Sequence, residues 1–336
     1  MSQAPLVRIE HLRKYFAVKG GWLGGRRGQV HAVDDVSFEV AKGETLGLVG
    51  ESGCGKSTLA RCIVRLTEPD HGKLEFAGED ITHLSRRSLK PLRRQIQLIF
   101  QDPYASLNPR KRISQILGDA LDLRQSNASR EERRAEIAKL LKRVGLTPQF
   151  MDRSPRELSG GQRQRVGIAR ALAVGPKLIV ADEPVSALDV SIQADILNLL
   201  KDLKAELGLT LVFISHDLGV IRHVSDRVGV MYLGRLVELA PADEFYAAPL
   251  HPYSEALLSA IPTPDPDAYL TRKEIVLEGD IPSPLAPPSG CRFHTRCPYA
   301  QGICASSEPQ LTAVDGCGRM VACHFPLTQK AENPVI

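Results

Sequence analysis

The chain has 336 residues, a length that at roughly 150 residues per domain suggests about two domains. Its 43 Lys and Arg against 39 Asp and Glu leave a net charge of +4, which is too small to indicate a nucleic-acid or polyanion binder. No run approaches the ~18 consecutive apolar residues of a membrane span, and the N-terminus lacks the apolar stretch of a signal peptide. We therefore expect a soluble, cytoplasmic protein with no nucleic-acid partner.

Strand-like and helix-like stretches alternate through residues 1–235. Residues 7–40 predict antiparallel strands interrupted by a Gly/Arg-rich loop. Short apolar runs typical of buried strands occur at 45–50, 178–182 and 210–215. One apolar helix face is predicted from Leu59, Cys62, Ile63 and Leu66, and an amphipathic helix is predicted at 192–203. Strands separated by helices indicate an α/β domain with a largely parallel central sheet.

The composition changes after about residue 240. Residues 241–288 contain many of the 23 prolines, which argues against long regular elements there. A helix is still predicted at 252–260, with Pro at its first position. These observations predict two units, residues 1–240 and a Pro-rich and Cys-rich segment at 241–336.

Residues 50–57 read GESGCGKS and fit the pattern G-x-x-x-x-G-K-[ST] between a predicted strand and a predicted helix. The glycines allow backbone N–H groups to surround phosphates, and the helix N-terminus adds positive potential. Lys56 is expected to reach the β- and γ-phosphates, and the Ser57 hydroxyl to bind Mg²⁺. The predicted nucleotide-binding residues are Gly50, Glu51, Ser52, Gly53, Cys54, Gly55, Lys56, Ser57 and Thr58.

An acidic pair follows the apolar strand at 178–182. The strand ends in Asp182, and ligands of open α/β sheets bind at the carboxyl ends of the strands. Asp182 is expected to hold Mg²⁺, directly or through water, and Glu183 to polarise the attacking water.

Residues 158–162 read LSGGQ, and two glycines after a serine at a helix start form another anion cradle. One chain rarely needs two cradles for one nucleotide. The combination resembles the ATPase domain of ABC transporters, whose signature motif is LSGGQ. Further matches follow the family's order: the adenine-stacking aromatics Tyr15 and Phe16 (the spacing favours Phe16), the Q-loop Gln101, the D-loop Asp189 and the switch histidine His216.

This resemblance covers about residues 5–240. It implies a RecA-like core sheet, an antiparallel β-subdomain and a helical signature subdomain at about 102–172. It also implies that two such domains close face to face around two ATP molecules, with Glu183 as the base, His216 holding the γ-phosphate and water, and Gln101 near Mg²⁺. The signature residues that would then contact the partner chain's ATP are Ser159, Gly160, Gly161 and Gln162.

A close resemblance to one subfamily is found in four further segments, at residues 99–110, 184–200, 251–267 and 279–300. It comprises the ATP-binding subunits of oligopeptide and dipeptide importers, of the OppF/DppF type. Importers of glutathione, nickel and other solutes share much of this pattern, so their ATPase subunits are an alternative. A metal- or redox-sensing ABC-type regulator is a further alternative.

The resemblance also implies partners. They are a second ABC ATPase subunit (in a hetero- or homodimer), two membrane permeases and, indirectly, a periplasmic or extracellular peptide-binding protein. Residues 102–109 are expected to face the permeases, although a proline-rich surface loop is the simpler interpretation. The chain would then act at the cytoplasmic face of the membrane.

Five of the seven cysteines lie between positions 291 and 323, with the spacing C-x5-C-x6-C-x12-C-x5-C. This pattern lacks the closely spaced pairs of a zinc ribbon, whereas irregular thiols suit a soft metal or an iron–sulfur cluster. The family resemblance implies a candidate [4Fe–4S] site at Cys291, Cys297, Cys304 and Cys323. Zinc, or cysteines without metal, are the alternatives, and Cys317 has no assigned role.

Overall fold

The computed structural model describes residues 4–19, 26–124, 128–261, 275–314 and 318–327. Within them, an antiparallel sheet has the strand order β2-β1-β4-β5. Its strands are β1 (Val7–Lys19), β2 (Arg26–Val40), β4 (His71–Phe76) and β5 (Glu79–Asp80). The antiparallel pairing predicted for residues 7–40 is confirmed, and residues 20–25 of the predicted loop lie outside the described residues.

The larger sheet has the order β11-β12-β10-β9-β3-β8-β7-β6. Its parallel strands are β3 (Thr45–Val49), β6 (Ile96–Ile99), β7 (Leu178–Asp182), β8 (Thr210–Ile214) and β9 (Arg227–Tyr232). Every residue of β3, β7 and β8 is buried, as expected for strands covered on both faces. The carboxyl ends of these strands therefore meet at one edge.

The largely parallel sheet that the sequence predicts is present, and further strands extend it at one side. The strands there are antiparallel: β10 (Arg235–Pro241), β11 (Thr312–Ala313) and β12 (Met320–Val321). β10 follows β9 through a tight turn, so it must run in the opposite direction. Residues from the C-terminal part of the chain thus extend the sheet that begins with β3.

Helices cover the larger sheet. They are α1 (Lys56–Ile63), α2 (Leu92–Gln95), α7 (Val190–Leu207) and α8 (Leu218–Val224). The helix predicted at 192–203 is confirmed but longer, and it ends where Gly208 adopts a positive φ of 62°. The predicted apolar face of α1 is wrong at Leu66, which lies beyond the end of the helix and is 57% exposed.

Between β6 and β7 the chain is helical. The helices are α3 (Pro103–Ser106), α4 (Ile113–Asp122), α5 (Arg130–Arg143) and α6 (Gly160–Ala173), with 3-10 turns at Pro148–Asp152 and Pro155–Glu157. α4 packs against both α5 and α6. Ile113, Leu117, Leu141 and Val166 are fully buried where these helices meet.

The described residues of 241–327 are called the C-terminal segment below. Its helices are α9 (Ala242–Ala247), α10 (Pro252–Ser259) and α11 (Gly302–Ser306). The helix predicted at 252–260 is confirmed as α10. In the part of the chain that the structure describes, no helix is both long and apolar enough to cross a membrane.

Candidate functional site

The loop between β3 and α1 packs closely against neighbouring backbone. A Cβ on Gly50 would lie 2.1 Å from the Met231 carbonyl oxygen, and one on Gly55 would lie 1.9 Å from that of Ala32. Both glycines also have positive φ angles, of 147° and 108°. Glycine is therefore required at both positions, and residues 50–57, the phosphate loop, adopt the compact wrap that their spacing predicts.

Lys56 lies beneath this loop with only 4% of its surface exposed. Its Nζ donates hydrogen bonds to the carbonyl oxygens of Gly50 at 2.6 Å and Glu51 at 3.0 Å. The Cys54 sulfur lies 3.6 Å from the same nitrogen, and burial raises the pKa of its thiol. Cys54 is thus a neutral packing residue, while Lys56 holds its ammonium group against the loop carbonyls.

Ser57 and Asp182 bring a hydroxyl and a carboxyl group together. Ser57 Oγ donates a hydrogen bond to Asp182 Oδ1 over 2.9 Å. Burial raises the pKa of Asp182, and the neighbouring Glu183 raises it further, while the bond from Ser57 opposes both effects. Paired hydroxyl and carboxylate oxygens are ligands that suit Mg²⁺, so the donor set fits the predicted ion.

Three residues from different strand ends meet above the phosphate loop. Gln101 Nε2 donates to Glu183 Oε2 at 2.9 Å, and His216 Nδ1 lies 3.3 Å from the same oxygen. Glu183 has a φ of 47°, a left-handed conformation that costs a non-glycine residue energy, and its N–H donates to the Ile214 carbonyl. Strained residues held by surrounding contacts are typical of functional sites.

A cavity of about 590 Å³ joins these groups. It is lined by Phe16, Val30, Ala32, Ser52, Gly53, Gly55, Lys56, Ser57, Thr58, Gln101, Glu183 and His216. Phe16 is 43% exposed, so a base can stack on its ring. The cavity thus extends from the Phe16 ring, past the phosphate loop, to the carboxylate of Glu183.

Tyr15 does not line this cavity. Its hydroxyl donates to Asp34 at 2.5 Å, and its ring lies 4.4 Å from that of His31. Burial and the bond to Asp34 raise the pKa of Tyr15 to about 12. Of the two aromatics predicted for base stacking, only Phe16 is placed for it.

The signature residues 159–162 lie outside the cavity. Ser159 Oγ accepts a hydrogen bond from the Gln162 N–H, and Gln162 Oε1 accepts one from the Ser159 N–H. This reciprocal capping box begins α6, and none of the four signature residues lines the cavity above the phosphate loop. Asp189, at the N-terminus of α7, is also exposed and outside the cavity.

The four cysteines predicted to form a cluster line one small cavity of about 10 Å³. Burial raises the pKa of Cys291 and Cys297, and that of Cys323 to about 11. The described cysteines are free thiols, and Cys317 lies outside the described residues. The donor chemistry fits a thiolate-bound cluster, although within the described ranges no three His, Cys, Asp or Glu residues are close enough together to hold a metal ion.

A groove of about 500 Å³ lies beside β6 and is lined in part by Phe100, the residue before Gln101. Three large apolar side chains on it, Leu66, Phe100 and Leu123, are between 39% and 57% exposed. Ser106 and Asn108, from the segment predicted to face the permeases, also line this groove.

Sequence reasoning missed two residues that contact the phosphate loop. Tyr253 accepts a hydrogen bond from the Glu51 N–H at 2.9 Å, and Arg296 forms an ion pair with the Glu51 carboxylate. Neither belongs to a nucleotide-binding motif, and no local spacing relates positions 51, 253 and 296. For this part of the chain, the sequence predicted a helix at 252–260 but no contact with the phosphate loop.

Comparisons with known proteins match both parts of the chain. The model of the ABC transporter family matches residues 33–186, and that of the oligopeptide/dipeptide transporter C-terminal region matches residues 237–304. The chain is similar to the ATP-binding cassette MJ0796, a dimer bound to ADP and Pi, with a TM-score of 0.63 and 31% identity, over 70% of this chain and 98% of that one. The fold is thus that of an ABC ATPase with mixed α/β sheets.

Two relatives cover almost the whole chain. It is 51% identical to the oligopeptide transport ATP-binding protein AppF of Bacillus subtilis, over 96% of this chain and 98% of that protein. It is 52% identical to the "Probable peptide ABC transporter ATP-binding protein y4tS" of Sinorhizobium fredii, over 96% and 90%. Identity of this extent, together with both family matches, shows that the chain belongs to the ATP-binding proteins of the oligopeptide/dipeptide ABC transporters.

Proposed function

We propose that this ABC ATPase binds Mg-ATP in the cavity above the phosphate loop and that its hydrolysis energises peptide import. One observation carries the proposal: Gln101, Glu183 and His216 meet within 3.3 Å over the loop that holds Lys56. The peptide substrate is inferred from the relatives, whose names assign them to peptide transport.

The phosphate end of the site is arranged for a triphosphate. The Lys56 ammonium group donates to two loop carbonyls and can turn from them to the β- and γ-phosphates. The first residues of α1, Lys56, Ser57 and Thr58, line the same cavity, and the N-terminus of a helix favours negative charge. Ser57 and Asp182 would hold Mg²⁺, which supplies positive charge against the phosphate oxygens.

Glu183 is the proposed general base. Its carboxylate takes a proton from the attacking water as the water oxygen bonds to the γ-phosphorus and the bond from phosphorus to the bridging oxygen breaks. Gln101 and His216 both contact its Oε2, so they orient this carboxylate. The left-handed backbone at Glu183 directs the side chain into the cavity rather than along the strand.

Lys56→Ala tests this site. Loss of the ammonium group should weaken Mg-ATP binding by about 100-fold or more, because a charged contact to phosphate is among the strongest available. Lys42→Ala, at an exposed lysine before β3, is the control and should bind ATP like the wild type. Wild-type affinity in Lys56→Ala, measured with a fluorescent ATP analogue, would disprove the proposed site.

The signature segment, residues 158–162, is proposed to bind the nucleotide of a partner chain. The residues that begin α6, Ser159, Gly160, Gly161 and Gln162, lie outside the chain's own cavity. A second ATPase subunit facing this surface would have its nucleotide capped there, and Asp189 lies on the same exposed part of the chain. The dimeric state of the related cassette supports this arrangement.

The groove beside β6 is the proposed permease-docking surface. Phe100 and Leu123 expose apolar surface there, and Phe100 directly precedes Gln101, whose side chain contacts the proposed base Glu183. Such docking would hold the ATPase at the cytoplasmic face of the membrane, with a separate binding protein delivering the peptide. Phe100→Asp should abolish copurification with coexpressed permeases while ATP affinity stays within about twofold, since a buried charge opposes docking.

The thiols of Cys291, Cys297, Cys304 and Cys323 are the proposed ligands of a [4Fe–4S] cluster. Their support is the shared cavity, and the cluster would supply a cross-link within a segment that is rich in proline. Anaerobic purification followed by iron and sulfide analysis should give about four of each per chain. Stoichiometric zinc, or protein without metal after anaerobic purification, would contradict this assignment.

A further inference from the structure

Glu51, the second residue of the phosphate loop, is held from outside the loop on two sides. Its backbone N–H donates to Tyr253 Oη at 2.9 Å. Its two carboxylate oxygens accept hydrogen bonds from Arg296 Nη1 at 2.9 Å and Nη2 at 3.2 Å. On its third side, the Glu51 carbonyl accepts from Lys56 Nζ at 3.0 Å. One residue therefore joins the C-terminal segment to the lysine that faces the phosphates.

The Arg296–Glu51 pair has the geometry of a strong ion pair. The contact is bidentate, and the Arg296 side chain is only 8% exposed. Two parallel bonds fix the direction of the carboxylate as well as its distance, and a low-dielectric surrounding strengthens them. This pair therefore restricts the conformations of Glu51 more than a surface salt bridge would.

Tyr253 is itself rigidly placed. Its ring lies 4.8 Å from that of Tyr232 and 5.3 Å from that of Phe293, and the side chain is fully buried. Its N–H donates to His251 Nδ1 at 3.0 Å. The fully buried Glu238 carboxylate accepts from the Leu250 and His251 N–H groups, both at 2.8 Å. The hydroxyl that accepts from Glu51 is thus fixed by β10 and the aromatic cluster.

We propose that Tyr253 and Arg296 are positioning residues for ATP binding: they fix Glu51, and with it the Lys56 end of the phosphate loop, before the nucleotide arrives. A loop ordered in advance loses less entropy on binding, so these contacts raise the affinity for Mg-ATP. The ATP affinity of this chain therefore depends on its C-terminal segment. The inference rests on the proposed ATP site at the phosphate loop.

Equilibrium binding of a fluorescent ATP analogue to the full chain tests the proposal. Arg296→Gln and Tyr253→Phe should each raise the dissociation constant about tenfold, which corresponds to ~1.4 kcal/mol. Arg296→Lys keeps the charge but not the bidentate contact and should lie between wild type and Arg296→Gln. In a double-mutant cycle, Glu51→Gln combined with Arg296→Gln should weaken binding no more than either single change.

Arg319→Gln is the matched control. Arg319 is another C-terminal arginine with a side chain that is 8% exposed, and it pairs with Glu244 at 3.6 Å rather than with a residue of the phosphate loop. This variant should lower the melting temperature and leave ATP affinity unchanged. An equal loss of affinity in Arg319→Gln and Arg296→Gln would show a general packing effect and overturn the proposal.

Lys56→Ala separates failure of this inference from failure of the ATP site. If Lys56→Ala loses ATP while Arg296→Gln and Tyr253→Phe bind it like the wild type, the positioning role is wrong and the site stands. If Lys56→Ala also binds like the wild type, the site itself is wrong. Should Arg296→Gln not fold, Tyr253→Phe, which removes a single oxygen atom, decides the question alone.

Discussion

The phosphate loop and the C-terminal segment are held by interactions of very different range. Within the loop, Lys56 contacts the carbonyls of Gly50 and Glu51, at most six residues away. The C-terminal segment instead depends on pairs such as Arg296 and Glu51, which are 245 residues apart. The first kind of contact is specified by neighbouring residues, whereas the second forms only after distant parts of the chain have met, and closing that long loop costs entropy.

Because of this difference, substitutions in the two regions should affect different properties, ATP binding in one case and the free energy of unfolding in the other. A change inside the loop should remove ATP binding without unfolding the chain, since its contacts with the nucleotide are made by the loop itself. A change in the long-range contacts should first lower the free energy of unfolding and affect ATP through Glu51 alone. The next three predictions use this separation, from the largest expected effect on stability to the smallest.

Glu238→Ala should break the attachment of the C-terminal segment. Two buried N–H groups, of Leu250 and His251, would lose their acceptor, at a cost of about 3 kcal/mol in the free energy of unfolding. Urea unfolding measures this value. Glu238→Gln, which keeps one carbonyl oxygen, should lose less, and a loss below about 1 kcal/mol in Glu238→Ala would contradict the importance of this attachment.

Asp34→Asn should weaken a second contact that holds the C-terminal segment, the ion pair between Arg292 and Asp34. Burial opposes ionisation of Asp34, but the hydrogen bond from Tyr15 and the charge of Arg292 outweigh it and lower the pKa to about 2. Because the folded pKa lies below the unfolded value, the stabilisation is present above pH ~4 and is lost as the pH falls through about 2. Asp34→Asn should cost about 2 kcal/mol at pH 7.

The pH dependence supplies the control for this variant. Between pH 5 and pH 2, the wild type should lose stability more steeply than Asp34→Asn, because the variant has no carboxylate to protonate at this position. Parallel curves of unfolding free energy against pH would show that Asp34 does not provide the stabilisation.

Cys62→Ala should have the smallest effect. Cys62 is fully buried on α1, and burial raises the pKa of its thiol to about 12, so it packs as a neutral side chain. Loss of its sulfur should cost about 1 kcal/mol of unfolding free energy. ATP affinity should remain that of the wild type, and a clear loss of affinity would indicate that α1 transmits changes from its buried face to the loop.

The sequence was most informative where function depends on short segments. The phosphate loop and the buried strands β3, β7 and β8 were predictable, because glycine spacing and apolar runs are local signals. Family resemblance supplied Gln101 and His216, which the structure places beside Glu183. Their roles in hydrolysis remain predictions until they are measured.

The remaining features depend on tertiary contacts. Nothing local showed that Tyr15 would turn to Asp34 while Phe16 lines the cavity. The short strands β11 and β12 carry no periodic signal, so their addition to β10 could not be predicted. The contacts of Tyr253 and Arg296 with Glu51 join positions whose proximity only the fold reveals.

The central claim, that this chain hydrolyses ATP with Glu183 as the base, is tested most directly by measuring ATP binding and phosphate release together in Glu183→Gln. We expect ATP affinity within about twofold of the wild type and phosphate release lowered by at least ~100-fold, because the amide cannot accept the water's proton. Glu79→Gln, at an exposed glutamate of β5, serves as the control and should release phosphate normally. Phosphate release at the wild-type rate in Glu183→Gln would contradict the account.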